Sequence, residues 1–237
     1  MSSTQRTYTT IDESSAQDDM LLDSLNSLTL RSSWFAGTWK VFSETTTVLA
    51  PCGVALFGGN RTYEAALAER GPSKALKYDC RFLPAVGEQT IADREFNVKS
   101  IARVAMGENS VVDVSLATPN KFSCLLSLEG APSLITVDLL VLNRRQEKVD
   151  DTHFDCSEVV REIVSGIQRK AAILKEVETT SLYTLLGDGT VQCRQRSATF
   201  LLPSQQDPMA LQMWQATRGR PIDVRFYNVQ YTKKVAS

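Results

Sequence analysis

The recurrence of apolar side chains at every second position is the sequence feature that most limits the possible folds of this chain. Between residues 38 and 231, apolar side chains recur at every second position in a series of short segments, such as residues 76–82 and 122–128. Successive side chains of a β-strand point to opposite faces, so this pattern indicates strands with one buried face. Many short strands separated by turns are typical of an all-β sandwich or barrel.

Further segments of this kind complete one domain. We predict additional strands at residues 38–49, 111–116, 134–142, 174–186, 191–202 and 222–231. The alternation is interrupted at residues 60–73, where we predict a short helical insertion or an ordered loop, and at residues 96–106, where we predict a short helix. The chain is therefore predicted to be mainly β, with a single antiparallel barrel over residues 34–232 and a C-terminal tail at residues 233–237.

The segment before the barrel has a different character. Residues 1–19 are polar, and we expect them to form a disordered tail. Within residues 20–33, Leu21, Leu25 and Leu28 fall on one face of a helix, which predicts a short amphipathic helix. This helix would either cover one end of the barrel or dock onto a partner protein.

Charge and composition argue against several classes of protein. The 26 Lys and Arg residues nearly balance the 27 Asp and Glu residues, and a net charge of −1 gives no support for nucleic-acid binding. No apolar run approaches the roughly 18 residues of a transmembrane helix, and the N-terminus lacks the pattern of a secretory signal. We expect a soluble protein of the cytoplasm or an organelle, not a secreted one.

The cysteines do not suggest a metal or redox centre. Five cysteines are spread unevenly along the chain without a C-x-x-C motif: Cys52, Cys80, Cys124, Cys156 and Cys193. An odd number of isolated cysteines in strand-like segments favours free, buried thiols in a reducing compartment. We therefore predict no metal ligands.

A glycine and a tryptophan open the first long strand. Gly37 allows the backbone to turn sharply, and Trp39 follows two residues later, where its indole can seal one end of a barrel. This G-x-W entry resembles that of lipocalins and their fatty-acid-binding relatives. The resemblance implies a lipocalin-like, calycin-type barrel in which an arginine of the last strand lies over the indole. Arg225 is the candidate, ahead of Arg218 and Arg220, and the alternative is an ordinary core tryptophan in another β fold.

Several short motifs add a second resemblance. They are Ile-Ala-Asp-Arg-Glu-Phe-Asn at residues 91–97, Ile-Ala-Arg at 101–103, Val-Glu-Thr-Thr at 177–180 with Tyr183, Leu-Leu-Pro at 201–203 and Gln-Asp-Pro at 206–208. These motifs resemble an uncharacterised lipocalin-like family of cyanobacteria and plastids. The resemblance supports the barrel fold and implies a plastid location. Because that family is itself uncharacterised, it implies no activity.

The lipocalin resemblance also implies a ligand. A small barrel either encloses a hydrophobic molecule or is filled by its own side chains, and Phe82, Phe122 and Tyr183 would line or fill the interior. At the mouth of such a cavity, Arg94 or Arg103 would meet the carboxylate of a bound lipid or tetrapyrrole.

A structural role for the same segment is the alternative. Asp93 or Asn97 would cap the helix that follows, and Arg94 would form an ion pair with Asp93 or Glu178. In that case the arginine would hold the fold together and would not contact a ligand.

Catalysis has little support. The single histidine, His153, lies in the acidic segment 150–155, which we predict to be a solvated loop. None of the common nucleophile, nucleotide or metalloprotease motifs occurs. We therefore expect a non-catalytic protein that binds or chaperones a hydrophobic small molecule, such as a lipid, carotenoid or tetrapyrrole. The alternative is an accessory or assembly subunit whose barrel is a docking platform for a larger protein complex.

Overall fold

A computed structural model describes residues 29–30, 33–84, 90–118, 120–127, 134–166, 173–203 and 208–234. The strands of the described residues are β1 (Thr29–Leu30), β2 (Gly37–Leu49), β3 (Leu76–Pro84), β4 (Thr90–Ala92), β5 (Val111–Thr118), β6 (Lys121–Leu126), β7 (Ile135–Lys148), β8 (His153–Ser165), β9 (Ile173–Leu185), β10 (Val191–Leu201) and β11 (Asp223–Lys233). The α-helices are α1 (Val54–Phe57), α2 (Asn60–Ala68), α3 (Arg94–Met106) and α4 (Pro208–Thr217), with short 3-10 turns at Ser33–Phe35 and Pro72–Lys74.

All the described strands belong to one antiparallel sheet. Their spatial order is β1-β4-β3-β2-β11-β10-β9-β8-β7-β6-β5, and the sheet curls into a half-barrel. The prediction of a mainly β, antiparallel single sheet is confirmed. The first long strand pairs with the last, since β2 lies against β11 over most of its length.

The expectation of a closed barrel is corrected in one respect. β1 and β5 are the two ends of the sheet, and no pairing between described strands joins them. Instead, α3 contacts β3 near one end of the sheet and β5 at the other. β4 is only three residues long, so no other described strand pairs with most of the outer edge of β3, and a helix takes that place. We call this helix-filled junction the seam.

The buried side chains lie mainly on one face of the sheet. Val229, Cys193, Tyr183 and Phe154 stand directly opposite one another across β11, β10, β9 and β8. Residues that oppose each other across strands share a face, so we call the face that carries them the inner face.

Two apolar clusters cover different parts of the inner face. The first, the aromatic core, consists of Phe35, Trp39, Val41, Cys80, Phe82, Val191, Cys193, Val229 and Tyr231. The second, the edge core, consists of Val111, Val114, Phe122, Cys124, Leu126 and Ile135 on β5, β6 and β7. Val98 and Ala102 of α3 pack against the edge core, which places one side of the helix over the inner face at the seam.

The elements differ from the predicted ones in several places. Thr29 and Leu30 form strand β1, not the end of the predicted amphipathic helix, whose residues 20–28 lie outside the described residues together with the predicted tail 1–19. β8 was read as a loop at its start and was not predicted as a strand, because the charged residues Glu158 and Glu162 interrupt its apolar alternation. Lys233 belongs to β11, not to the C-terminal tail.

Candidate functional site

Gly37, Trp39 and Lys233 form one structural unit at the start of the barrel. Gly37 has a φ of +119°, a conformation that favours glycine, and a β-carbon placed there would lie 3.2 Å from Cε of the flexible Lys233 side chain. The Lys233 ammonium lies 5.5 Å from the centroid of the Trp39 ring. The indole Nε1 donates a hydrogen bond to the Phe35 carbonyl at 2.8 Å, which satisfies its polar edge inside the core.

The cation over the indole is not the one that was expected. Arg225 lies opposite Val48, near the other end of β2, whereas Lys233 lies opposite Trp39. Arg225 instead forms ion pairs with Asp223 at 3.0 Å and with Glu69, beyond α2, at 2.9 Å. The assignment of Arg225 to the indole was therefore wrong. The lipocalin pattern named an arginine, and β11 extends far enough for a lysine eight residues later to take its place.

A cluster of three charged side chains ties the start of α3 to the sheet. Glu158 on β8 accepts hydrogen bonds from Nη2 of Arg94 at 2.7 Å and from Nε of Arg144, on β7, at 2.6 Å. The side chain of Arg144 is only 7% exposed, and those of Arg94 and Glu158 are 16% and 22% exposed. Arg94 therefore pairs with Glu158, and not with Asp93 or Glu178 as expected.

Two guanidinium groups of this cluster share one carboxylate, and Nε of Arg94 is buried without a hydrogen-bond partner. Burial raises the pKa of Glu158, while the nearby Arg144 guanidinium opposes that rise. The Arg94 guanidinium also lies 5.8 Å from the centroid of the Phe122 ring. The cluster therefore holds the start of α3 against β7 and β8.

Polar side chains of α3 replace a missing strand along β3. Nδ2 of Asn97 donates to the carbonyl of Arg81, and Oδ1 of Asn97 accepts from its backbone N–H. Three residues later, the Ser100 hydroxyl accepts from the backbone N–H of Asp79. These bonds satisfy edge groups that would otherwise be free to pair with another strand. The expected helix cap is confirmed at Asp93, whose carboxylate accepts from the Phe96 N–H and also pairs with Arg81.

A groove lies between α3 and the outer face of β2, β3 and β11. Its volume is about 860 Å³, within the range of small-molecule sites. Lys40 and Phe42 point into it because they alternate along β2 with the inward-facing Trp39 and Val41. Phe42 and Phe96 supply aromatic surface, and Val104 of α3 adds an apolar side chain that is 45% exposed. We call this site the α3 groove.

The rim of the α3 groove is basic. Four cationic and two acidic side chains line it: Lys40, Lys77, Lys99, Arg103, Asp79 and Glu108. Asp79 is already paired with Lys234 at 2.5 Å, and Lys99 is paired with Glu95 at 2.7 Å. Lys40 and Arg103 have no ion pair with any other described residue. The groove therefore presents a positive field beside exposed apolar surface.

The five predicted ligand residues lie in three separate places. Phe82 belongs to the aromatic core and Tyr183 packs against it, with ring centroids 4.4 Å and 5.3 Å from that of the fully buried Phe35. Arg94 and Phe122 meet at the seam. Only Arg103 lines the α3 groove. In the aromatic core, the side chains therefore pack against one another on the inner face.

The thiols of the interior are held in their protonated form. Burial raises the pKa values of Cys80, Cys156 and Cys193 to about 12, and neighbouring ionisable groups add to the rise. All five cysteines are free. A thiol with such a pKa is a poor nucleophile near neutral pH, so these three side chains act as small apolar residues.

His153 takes part in a local turn. Nδ1 of His153 lies 2.8 Å from Oδ2 of Asp150, and both side chains are about half exposed. The backbone N–H of Thr152 is the main cause of a lowered pKa of Asp150, followed by the His153 side chain. Within the described residues, no group of three or more His, Cys, Asp or Glu side chains is arranged to hold a metal ion.

Sequence reasoning missed several residues that shape these sites. Lys233 was excluded because the tail was expected to begin there, and Arg144 and Glu158 lay in segments without a clear pattern. Lys40 and Phe42 could have been grouped from the sequence, because they alternate along β2 with Trp39 and Val41 and therefore share its other face. What lies over that second face depends on α3, which comes fifty residues later in the chain.

The fold and its sites define a class of protein: a single curled antiparallel sheet whose open side is filled by a helix and flanked by a basic, partly aromatic groove. The chain belongs to the family described as domain of unknown function DUF6816, whose model matches residues 32–236. A search of the curated proteins found no match, and a search of the solved structures found none either. No helix of the described residues combines the length and the apolar character needed to cross a bilayer.

Proposed function

We propose that this protein is a non-catalytic carrier of an amphipathic small molecule with a carboxylate head, held in the α3 groove. The α3 groove itself carries the proposal, since a cavity of about 860 Å³ joins aromatic surface to a rim on which four cations outnumber two carboxylates. Apolar surface binds the body of such a ligand, and a few polar groups fix its orientation. Among the hydrophobic ligands expected from the sequence, a fatty acid or tetrapyrrole fits the basic rim better than an uncharged carotenoid.

Arg103 is the residue that we assign to the carboxylate. Its guanidinium has no ion pair with another described residue, and a planar guanidinium can hold a carboxylate through two parallel hydrogen bonds. Lys40 faces the same groove from β2 and adds to its positive field. Phe42 and Phe96 supply the surface for the apolar part of the ligand. The kinship with lipocalins remains part of this proposal, with the ligand on the outer face of the sheet and not among the aromatic-core side chains of the inner face.

Fluorescence titration with cis-parinaric acid tests the proposal. We expect the acid to bind more tightly than its methyl ester, because the ester has no charge for the basic rim. Arg103→Gln should weaken binding of the acid about fivefold, which corresponds to a charge-assisted contact of about 1 kcal/mol at an exposed rim. The same substitution should leave binding of the ester unchanged.

Two control variants complete the design. Arg145→Gln removes an arginine of β7 that is 81% exposed and lies outside the groove, so it should not alter binding of either compound. Phe42→Ser should weaken binding of the acid and the ester alike, because it removes apolar surface and no charge. Equal affinities for acid and ester, or an Arg103→Gln variant that binds the acid as well as the wild type, would refute the proposal.

A second candidate function is an accessory subunit that docks through the edge of the sheet. β5 ends the sheet, and Val112 and Leu116 on it are 53% and 43% exposed. Exposed apolar side chains at the end of a sheet form a surface on which a protein partner can dock. Val112→Lys should then abolish co-purification with a larger complex from the native source. A Val112→Lys protein that still co-purifies with that complex would rule this candidate out.

A further inference from the structure

The cations of the α3 groove stand at two levels along the strands. At the first level, Lys40 of β2 lies opposite Asp79 of β3 on one side and Thr232 of β11 on the other. At the second level, two residues further along β2 and β3, Phe42 lies opposite Lys77. Two residues of a strand cover about 7 Å, so the two levels have room for separate anionic groups.

Helix α3 places Arg103 near the second level. The Ser100 hydroxyl accepts a hydrogen bond from the backbone N–H of Asp79, and the hydrogen bonds between α3 and β3 show that helix numbers rise as strand numbers fall. Arg103 lies three residues beyond Ser100, about 4.5 Å further along the helix axis. This rise carries Arg103 from the level of Asp79 toward that of Lys77, and both cations line the groove.

Two ammonium groups and one carboxylate meet at the first level. Asp79 is paired with Lys234 at 2.5 Å. Lys40 stands opposite Asp79 in the register of the sheet, but it has no ion pair with Asp79 or with another described residue. The hydroxyl of Thr232 also lines the groove here and is a group that can donate to a carboxylate. The first level therefore carries one positive charge in excess.

The second level has the same excess. Lys77 and Arg103 line this part of the groove, and the acidic side chain that accompanies them is Glu108, which follows the C-terminal end of α3. Lys99, the remaining cation of the groove, is paired with Glu95 at 2.7 Å and is therefore already balanced. With the two carboxylates of the groove taken into account, one uncompensated cation is left at each level.

We propose that the ligand of the α3 groove is a dianion with two separate carboxylates on one apolar body, with one carboxylate near Lys40 and the other at Arg103. This inference rests on the proposed function and adds the second charge to it. A fatty acid has one carboxylate and would occupy the second level alone. A phosphate monoester concentrates its charge on one group and would likewise leave one level empty. Among the ligands considered above, a tetrapyrrole with two propionate side chains has the required pattern.

Fluorescence titration with mesoporphyrin IX, which carries two propionates, tests the second charge. Its monomethyl and dimethyl esters remove one and two charges from the same apolar body. We expect the dissociation constant to rise about fivefold with each ester group, because each removes a charge-assisted contact at an exposed rim. Equal affinities of the diacid and the monomethyl ester would overturn the proposal.

Two substitutions assign the carboxylates to their levels. Lys40→Gln should weaken binding of mesoporphyrin about fivefold but that of cis-parinaric acid less than about twofold, because a single carboxylate lies at Arg103 and salt screens the more distant charge. Arg103→Gln should weaken binding of both probes about fivefold, and the double variant should weaken binding of mesoporphyrin about 25-fold, because separate contacts add. An equal effect of Lys40→Gln on the two probes would contradict the assignment.

The outcomes separate this inference from the proposed function. Arg103-dependent binding of cis-parinaric acid, together with equal affinities for mesoporphyrin and its monomethyl ester, would keep the carrier function and refute the dianion. Binding of neither probe would refute both. Arg145→Gln is again the control and should alter binding of neither probe. Mesoporphyrin binding that no groove substitution changes would place that probe outside the groove and also refute the inference.

Discussion

Removal of Glu158 is the perturbation whose effect the structure specifies most closely. Glu158→Ala leaves the guanidinium groups of Arg94 and Arg144 facing each other without their shared carboxylate. Arg144 is 7% exposed and Arg94 is 16% exposed, so water can replace little of what is lost. Breaking a buried ion pair from one side costs about 3–5 kcal/mol, and we expect a loss in that range.

Equilibrium unfolding in urea, followed by tryptophan fluorescence, measures this loss. Glu147→Ala is the matched control, because Glu147 pairs with Arg145 on β7 at 3.6 Å and both side chains are more than half exposed. An exposed pair of this kind contributes about 0–1 kcal/mol, so the control should unfold almost as the wild type does.

A third variant separates the charge from the packing. The combination Arg94→Met, Glu158→Leu and Arg144→Met replaces the cluster by apolar side chains of similar length. It should recover most of the stability that Glu158→Ala loses, because both guanidinium groups are removed together with the carboxylate that they share. A Glu158→Ala variant that loses less than about 1 kcal/mol would show that the cluster is solvated and does not anchor α3.

Three further predictions concern the seam, the thiols and the backbone. Asn97→Ala should destabilise the protein by about 1–3 kcal/mol and speed amide hydrogen exchange in β3, since the Arg81 N–H loses its acceptor, whereas Glu95→Ala on the exposed side of α3 should change neither. Ellman's reagent at pH 8 should modify Cys80, Cys156 and Cys193 only after unfolding, because pKa values of about 12 leave almost no thiolate in the folded state; rapid reaction of all three in the native protein would contradict this. Gly166→Ala should lower the urea midpoint more than Gly189→Ala does. Both glycines have a positive φ, but only at Gly166 would the new β-carbon contact a backbone oxygen, which is the carbonyl oxygen of Leu134 at 2.7 Å. Equal urea midpoints for the two variants would contradict this prediction.

The strands that were predicted correctly are those in which local pattern and tertiary environment agree. β2 and β3 bury one face against the aromatic core and carry polar residues on the other, so their alternation is visible in the sequence. The helix at Arg94–Met106 was predicted for the same reason, since its Asp93 cap and its change of period are local features. Local agreement of this kind is what single-sequence reasoning can detect.

β8 shows where that reasoning fails. Its inner face carries Glu158 beside Phe154 and Cys156, and the carboxylate is tolerated only because Arg94 and Arg144 surround it. These arginines lie 64 and 14 positions away in the sequence, so no window along the chain reveals the compensation. The charged residue of this buried network therefore interrupts the apolar alternation of β8, and the strand could not be predicted from the sequence.

The candidate site was predictable only in part. Arg103 was named from the sequence, but Lys40 and Phe42 were not, because they face solvent along β2 until α3 passes over them. The open sheet has a similar cause. The local pattern of β3 does not predict that the side chains of Asn97 and Ser100, in place of a neighbouring strand, will accept hydrogen bonds from the backbone N–H groups at its edge.

The central claim is that the ligand site is the α3 groove on the outer face of the sheet. The most direct test is a crystal structure of the protein with a bromine-labelled fatty acid. The account predicts anomalous bromine density between α3 and the outer face of β2, with the carboxylate against Arg103. Bromine density among the side chains of the aromatic core, on the inner face, would contradict it.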